Sequence, residues 1–541
     1  MNIKKLLIFL TFLSFSFSFD ILHKCGADSI IKQPFEVKTV EKNENKRKLK
    51  NEYSPLKIYV DFTYVESQTN VISSSFLNYL KEIFEELTNY LSILLSVQHS
   101  EEILLEEGLI ESICEIPKYN QTFRTSIRDY DLLIFPIINS TLKETQVLAQ
   151  AWACLTLTDN HRPVAGVVEI NPDFSLNKLD SSYYMKYILL HEISHVLGFN
   201  YAFFKILNAV KTERKNGITR DFINTTKVIE KAREHFNCEN IQGVELENQG
   251  GLGSAASHWE ARYMLGDYMI STDYPEYSIS DITLAFFEDT GFYKVNYYTG
   301  GLFRYGKNQG CSFLEEDCIN EEGTNFTNEF CTQPGAFFCG SSLTNRGDCY
   351  IIKYDELLSS QFRYFQERFT GGFYAADYCP VSFNYYVKEL EDISNYPFNC
   401  NFGLSLYSSM GEIIGNNSIC FESSLIYEKN SEELDEPYSI CYQVECNRKK
   451  NKYYVKIGNN TITCPTKSVI LKDLEGFKGE IKCPDYNRVC TSEIWCNELF
   501  DCIDKKSLAD KLTYDYNNSK SKYIHFSKIV CIFILIIINN L

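Results

Sequence analysis

The chain runs to 541 residues, of which 44% are hydrophobic and 23% charged; that balance is ordinary for a globular protein with large cores and argues against disorder as the default. Its formal net charge of −18, with no basic stripe interleaved with aromatics, argues against a nucleic-acid partner.

The opening residues "MNIKKLLIFLTFLSFSFSFD" carry Lys4 and Lys5, then an apolar run from Leu6, then small serines near a cleavage point. That layout predicts a secretory signal over residues 1–19. Residues 20–50 are short, polar and end in a basic cluster at Lys46, Arg47 and Lys48. Such a cluster is often a solvated linker; in a secreted enzyme it is also where a pro-segment is cut.

From "PLKIYVDFTYV" the chain reads as folded. Ile58, Val60 and Phe62 alternate with polar or small residues, the period of a half-buried strand. "SSFLNYLKEIFEELTNYLSILLSV" has apolar residues at helical spacing and predicts an amphipathic helix; "YDLLIFPIIN" reads as a short buried strand. "VLAQAWACLTLTDNHRPVAGVVEINP" reads as helix-end or loop residues passing into a strand around Val164 to Ile170. This order indicates a mixed α/β layer.

"SSYYMKYILLHEISHVLGF" then offers Ser181 or Ser182 as a helix cap, a long apolar-faced helix, and Gly198 at its end. Within it stands H-E-x-x-H. Residues four apart share a helix face, so His191 and His195 can aim both imidazoles at one ion. Glu192 sits beside the first of them and can reach a water on that ion. Three protein ligands on zinc leave a fourth position for water, whose pKa falls to about 7, and a neighbouring carboxylate can move its proton.

The compact form of this motif would place a third histidine at position 201, and the chain has Tyr201 there. Gly198 lets the chain turn sharply and bring a third ligand back from elsewhere. Two of the 8 histidines lie downstream and ahead of the C-terminal tail: His235, read as the polar face of a helix, and His258, which follows a Gly/Ser/Ala stretch and precedes Met269. His258 is the preferred ligand. The 59 residues between Gly198 and His258 would then form an inserted subdomain.

Beyond Gly310 the pattern changes to cysteines and turns, with a boundary expected near residue 300. Of 20 cysteines, 15 lie between Cys311 and Cys502, and none forms a C-x-x-C pair. That reads as a disulfide framework in an oxidising compartment, not as zinc ribbons or redox pairs. N-glycosylation acceptors stand at Asn120, Asn139, Asn224, Asn325, Asn416, Asn459 and Asn517. The tail has small residues at Asn517, Asn518 and Ser519, a polar spacer, and an apolar run from Ile529 to Ile538. This run is about half the length a spanning helix needs and reads as a lipid-anchor attachment signal, the alternative being a short tail anchor or an amphipathic end.

With these residues in place, the chain resembles the leishmanolysin family, the glycolipid-anchored surface zinc proteases of the metzincin group. "RPVAGVVEINP" resembles the family's strand before the active-site helix, "SAASHWEARYMLGDYMI" its third-ligand segment, and "ITLAFFEDTGFY" the helix and turn that follow. "GKNQGCSF", "ADYCPV" and "SICFESS" resemble its cysteine-rich C-terminal signatures. The family carries a long insertion between glycine and third histidine, which accommodates Tyr201. The resemblance implies that His191, His195 and His258 bind one zinc ion, Zn2+, that Glu192 is the catalytic base, and that Met269 forms a methionine turn beneath the metal. "LHKCGADS" resembles the family's pro-segment cysteine region in part, making Cys25 a zinc ligand of the precursor; the alternative for Cys25 is a disulfide.

The expected fold is α+β: a metzincin-like catalytic domain of twisted sheet and long active-site helix, an inserted subdomain, and a disulfide-rich C-terminal domain. Its expected divisions are a signal at 1–19, a pro-segment at 20–50, an N-terminal catalytic subdomain at 51–200, a central subdomain at 201–300, a Cys-rich domain at 301–512 and an anchor-attachment signal at 513–541. The expected activity is that of a zinc metalloendopeptidase, cell-surface or secreted, acting on proteins or peptides and held to the membrane by a lipid anchor. The rival expectation is an inactive surface adhesion protein of the same fold.

Overall fold

The computed structural model describes residues 34–40 and 53–490, apart from short interruptions of which the longest are 173–181, 250–254, 298–302, 384–398 and 430–436. The architecture is mixed α/β, with several small sheets and eight disulfides among the described residues. No described helix is long and apolar enough to cross a membrane.

A five-stranded sheet organises the N-terminal half. Its strands are β1 (Phe35–Val37), β2 (Ile58–Val60), β3 (Leu132–Ile138), β4 (Ala149–Leu157) and β5 (Pro163–Ile170), in the order β1-β4-β5-β3-β2. β2, β3 and β5 run parallel, whereas β4 is antiparallel to β5 and parallel to β1. Both faces of β3 are covered, as its nearly unbroken apolar run requires. Leu132 and Ile134 face the main core, and Leu133 and Phe135 face a smaller core with Ile103, Ile110 and Trp152.

Two helices cover the main-core face: α1 (Ser74–Leu94) and α2 (Ser182–Val196). α1 is capped by Ser73, whose hydroxyl accepts from the backbone N–H of Phe76, and it buries Leu80, Ile83, Phe84, Leu87 and Leu91 along one stripe. Stretch 149–157, expected to be helix end or loop, is instead a fully buried strand. Its alanines disguised it. Ala149, Ala151 and Ala153 face the main core, where small side chains let α2 lie close. On the neighbouring strand Gly166 stands opposite Ala153. A Cβ there would meet Val196 Cγ1 at 2.3 Å.

Residues 34–40 fall inside the stretch read as a pro-segment. Phe35–Val37 pairs with Leu155–Leu157, Thr39–Val40 pairs with Glu102 and Ile103, and Val37 is buried.

After α2 the chain forms α3 (Tyr201–Ile206), a hairpin of Val210–Lys215 and Ile218–Ile223, and α4 (Thr226–Phe236). The strand Val244–Glu245 joins the hairpin to make a three-stranded sheet. α5 (Asp281–Asp289) packs on α4.

The core does not divide at residue 300. Phe303, Tyr305, Phe313, Phe330, Tyr350 and Val381 all belong to the main core, Phe313 stacking on Phe236 of α4. These aromatics are interleaved with cysteines and turns, so the segment shows no helical or strand period while still being core. A second core lies around a six-stranded sheet spanning Ser418–Cys483, together with Cys339, Leu343 and Cys400.

Candidate metal centre

α2 buries its ligand-bearing end completely, and Gly198 terminates it with φ +117°, a conformation open to glycine and strained for other residues. The chain then enters α3 at once. Asn200 caps α3 by accepting from Phe203 N–H, and its own amide donates to the carbonyl of His195 at 2.9 Å. Tyr201 therefore opens a helix, and its ring lies 4.8 Å from Lys205 Nζ.

His258 is brought back by a short pairing. Glu247 N–H donates to His258 O at 2.9 Å, Leu246 and Trp259 form an antiparallel bridge, and Trp259 N–H donates to Met269 O at 3.0 Å. The backbone N–H of Tyr201 donates to Ser257 Oγ at 2.9 Å. The inserted residues thus close against the turn that follows α2.

The outcome is a buried group of three imidazoles, His191, His195 and His258, whose ligand atoms all lie within 4.8 Å of one another. Nε2 of His191 is 3.0 Å from Nε2 of His195 and 3.2 Å from Nε2 of His258. His191 Nδ1 donates to Tyr268 O at 2.7 Å and His195 Nδ1 donates to Phe199 O at 2.6 Å. Carbonyls only accept, so these two bonds put the ring protons on Nδ1 and leave the Nε2 lone pairs facing one another. Facing lone pairs repel unless a cation lies between them. Tetrahedral zinc with Zn–N of about 2.0–2.1 Å needs nitrogens roughly 3.3 Å apart, close to the spacing found. The residues fit the metal.

Burial pushes His191 down to about 4, with the Tyr268 carbonyl opposing, and holds His195 well below the usual imidazole value. Both are therefore neutral at physiological pH, the form that binds a metal. Glu192 is fully buried, next to His191 on α2.

Met269 is fully buried, its N–H donating to Asp267 Oδ1 at 2.8 Å. His235 is not on a polar face. It is buried in the core, Nε2 donates to Tyr305 O at 2.8 Å, the ring stacks on Phe303, and burial pushes its pKa down to about 3. Cys25 lies outside the described residues. Sequence reasoning did not single out Ser257, Asp267, Tyr268 or Thr283. Each acts through a partner distant in the chain, and a lone sequence carries no signal for that.

The sequence pattern of a family described as leishmanolysin matches residues 81–496. A leishmanolysin homolog of Crithidia fasciculata is 29% identical over 386 residues, covering 69% of this chain and 57% of the relative. Leishmanolysin of Leishmania tropica is 28% identical over 407 residues, covering 72% of this chain and 59% of the relative. A leishmanolysin-like peptidase of Drosophila pseudoobscura pseudoobscura is 27% identical over 447 residues, covering 68% and 64% respectively. The chain thus spans less than two thirds of the length of each.

Proposed function

The chain belongs to the leishmanolysin family, and from that membership and the three converging imidazoles we propose that it is a zinc-dependent metalloendopeptidase. The observation that carries the proposal is the 3.0 and 3.2 Å spacing of the Nε2 atoms of His195 and His258 from that of His191. Two of these rings are already oriented by backbone carbonyls. The reading includes a metzincin-like catalytic half, in which α2 supplies two ligands, the 256–260 segment the third, and Met269 the turn beneath them.

A zinc ion held by these histidines supplies a Lewis acid that brings the pKa of water to about 7 and polarises a carbonyl. Tyr268 O and Phe199 O fix the rings of His191 and His195 against rotation. Glu192 is the general base in this reading. Its carboxylate takes a proton from the attacking water and delivers it to the amine nitrogen as the peptide C–N bond breaks. The tight packing around α2 keeps bulk water from the buried side of the site, which strengthens every charge interaction there.

The eight disulfides support a route through an oxidising compartment and hence a secreted or cell-surface enzyme. The signal at 1–19, the anchor signal at 513–541 and Cys25 as precursor ligand complete this reading; all three lie outside the described residues.

The test is hydrolysis of a mixed peptide library by the secreted protein beside Glu192→Ala. The expected result is one zinc per chain in both proteins, cleavage by the wild type alone, and loss of that cleavage with a chelator. Zinc binding without cleavage by the wild type would overturn the protease reading and favour a surface binding role.

A further inference from the structure

One buried carboxylate, Asp267, stands between the turn that holds the His191 ring and the segment that carries His258. Asp267 is fully buried at the start of the turn that carries Met269. Its Oδ1 accepts from Met269 N–H at 2.8 Å, and its Oδ2 accepts from Ser280 N–H at 3.1 Å and from Thr283 Oγ1 at 2.9 Å. The residue enclosed by the first of these bonds is Tyr268, whose carbonyl receives Nδ1–H of His191. Closing the Asp267–Met269 turn therefore fixes the acceptor that orients His191.

The second route runs through α5. Trp259, the residue after His258, donates its indole N–H to Thr283 Oγ1 at 2.7 Å. An indole can only donate and an ionised carboxylate can only accept. Thr283 Oγ1 must therefore accept the hydrogen bond from the indole N–H and donate its own O–H to Asp267, so the relay has one direction. It ties the backbone bearing His258 to the same carboxylate. The same two segments also meet through the bond from Trp259 N–H to Met269 O.

We infer that Asp267 is a positioning residue of the metal centre, orienting His191 through the Tyr268 carbonyl and His258 through the Thr283–Trp259 relay. This rests on the three-histidine zinc reading above. It assigns Asp267 the part that outer-shell carboxylates play when they reach a ligand directly, here exerted through one intervening residue on each side.

The experiment measures zinc affinity by chelator competition, and the visible absorption of the cobalt-substituted protein, for wild type, Asp267→Asn, Thr283→Val and Thr283→Ser, each with its thermal midpoint. Asp267→Asn keeps the shape but turns two acceptor oxygens into one, so zinc affinity should fall ~10–100-fold and the cobalt bands should shift. Thr283→Val breaks the His258 route, together with the contact from Ser280 Oγ, but leaves the Asp267–Met269 bond, so it should weaken binding by a smaller factor, while Thr283→Ser keeps the hydroxyl and restores wild-type values. Lower thermal midpoints with unchanged zinc affinity and unchanged cobalt bands would show a purely structural role and overturn the inference. If Asp267→Asn does not fold, the Thr283→Val and Thr283→Ser pair decides the same question. A wild type that binds no zinc would sink the three-histidine reading itself, whereas a zinc-binding wild type matched by all variants would sink only the role of Asp267.

Discussion

Ser257 Oγ accepts a 2.9 Å hydrogen bond from the backbone N–H of Tyr201, so the residue before the third histidine is latched to the very position where a compact motif would carry that histidine. The insertion is thereby closed at its neck. Ser257 is fully buried, and Ser257→Ala would leave the Tyr201 N–H without its acceptor, costing about 1–3 kcal/mol of stability. Tyr201→His should not replace the lost ligand in a His258→Ala background, because position 201 opens α3 and its ring is engaged with Lys205. Zinc content of that double variant settles the point: a bound ion would show that the turn after Gly198 can reach the site.

His235 predicts a pH effect that separates it from the ligands. Burial holds its pKa at about 3, below the unfolded value of about 6.5. A depressed histidine contributes stability that is fully present above the unfolded value and is lost as pH falls from 6.5 towards 3, on the order of 1.4 kcal/mol per pH unit in that window. His235→Phe removes this titration while filling the space beside Phe303. Urea midpoints measured from pH 7 to pH 4 should fall less steeply in the variant, with zinc content at pH 7 unchanged. Equal slopes would mean that His235 is charged or exposed in the folded protein.

The disulfide Cys238–Cys311 closes a loop with a sequence separation of 73 that contains both His258 and Met269. In the chain-entropy account a loop of this size stabilises by about 4 kcal/mol. The paired change Cys238→Ser, Cys311→Ser should therefore lower the thermal midpoint sharply. It should also weaken zinc binding, since the third ligand lies on the released loop and the other two do not. Intact zinc affinity in the double variant would show that the Leu246–Trp259 bridge and the Ser257 contact hold His258 unaided.

The sequence made these parts legible to different degrees. His191 and His195 could be paired because a helix brings residues four apart to one face, and His258 could be preferred because so few histidines were available. α1 was legible by its helical periodicity and β3 by its short unbroken apolar run. β4 was not, since its alanines at 149, 151 and 153 are selected by the closeness of α2 and carry no strand preference of their own. The packing of Phe303, Phe313 and Phe330 into the main core was hidden because tertiary contact, such as that of Phe303 and Phe313 with His235 and Phe236 of α4, and not any repeat, makes them core. Ser257, Asp267 and Thr283 were hidden because their partners lie 13 to 56 residues away. Disulfide pairing is likewise a property of the folded chain.

The closeness of α2 to the sheet gives the last prediction. Gly166 has no room for a side chain: a Cβ would stand 2.3 Å from Val196 Cγ1, 2.8 Å from Val196 Cγ2 and 2.9 Å from the carbonyl oxygen of Trp152. Gly166→Ala must therefore push the end of α2 outward, and overpacking of this kind costs about 1–3 kcal/mol. Val196 adjoins His195, so the displacement should also weaken zinc binding. Val196→Ala alone leaves a cavity and destabilises by a different route. Together the two changes complement each other, because the smaller side chain at position 196 makes the space that a methyl group at position 166 needs, and only the Trp152 oxygen remains tight. The double variant should be more stable than the sum of the single costs predicts, with zinc affinity largely recovered. Additive costs and no recovery would mean that α2 does not rest on Gly166, and that the alanine-and-glycine floor is not what sets the height of the ligand helix.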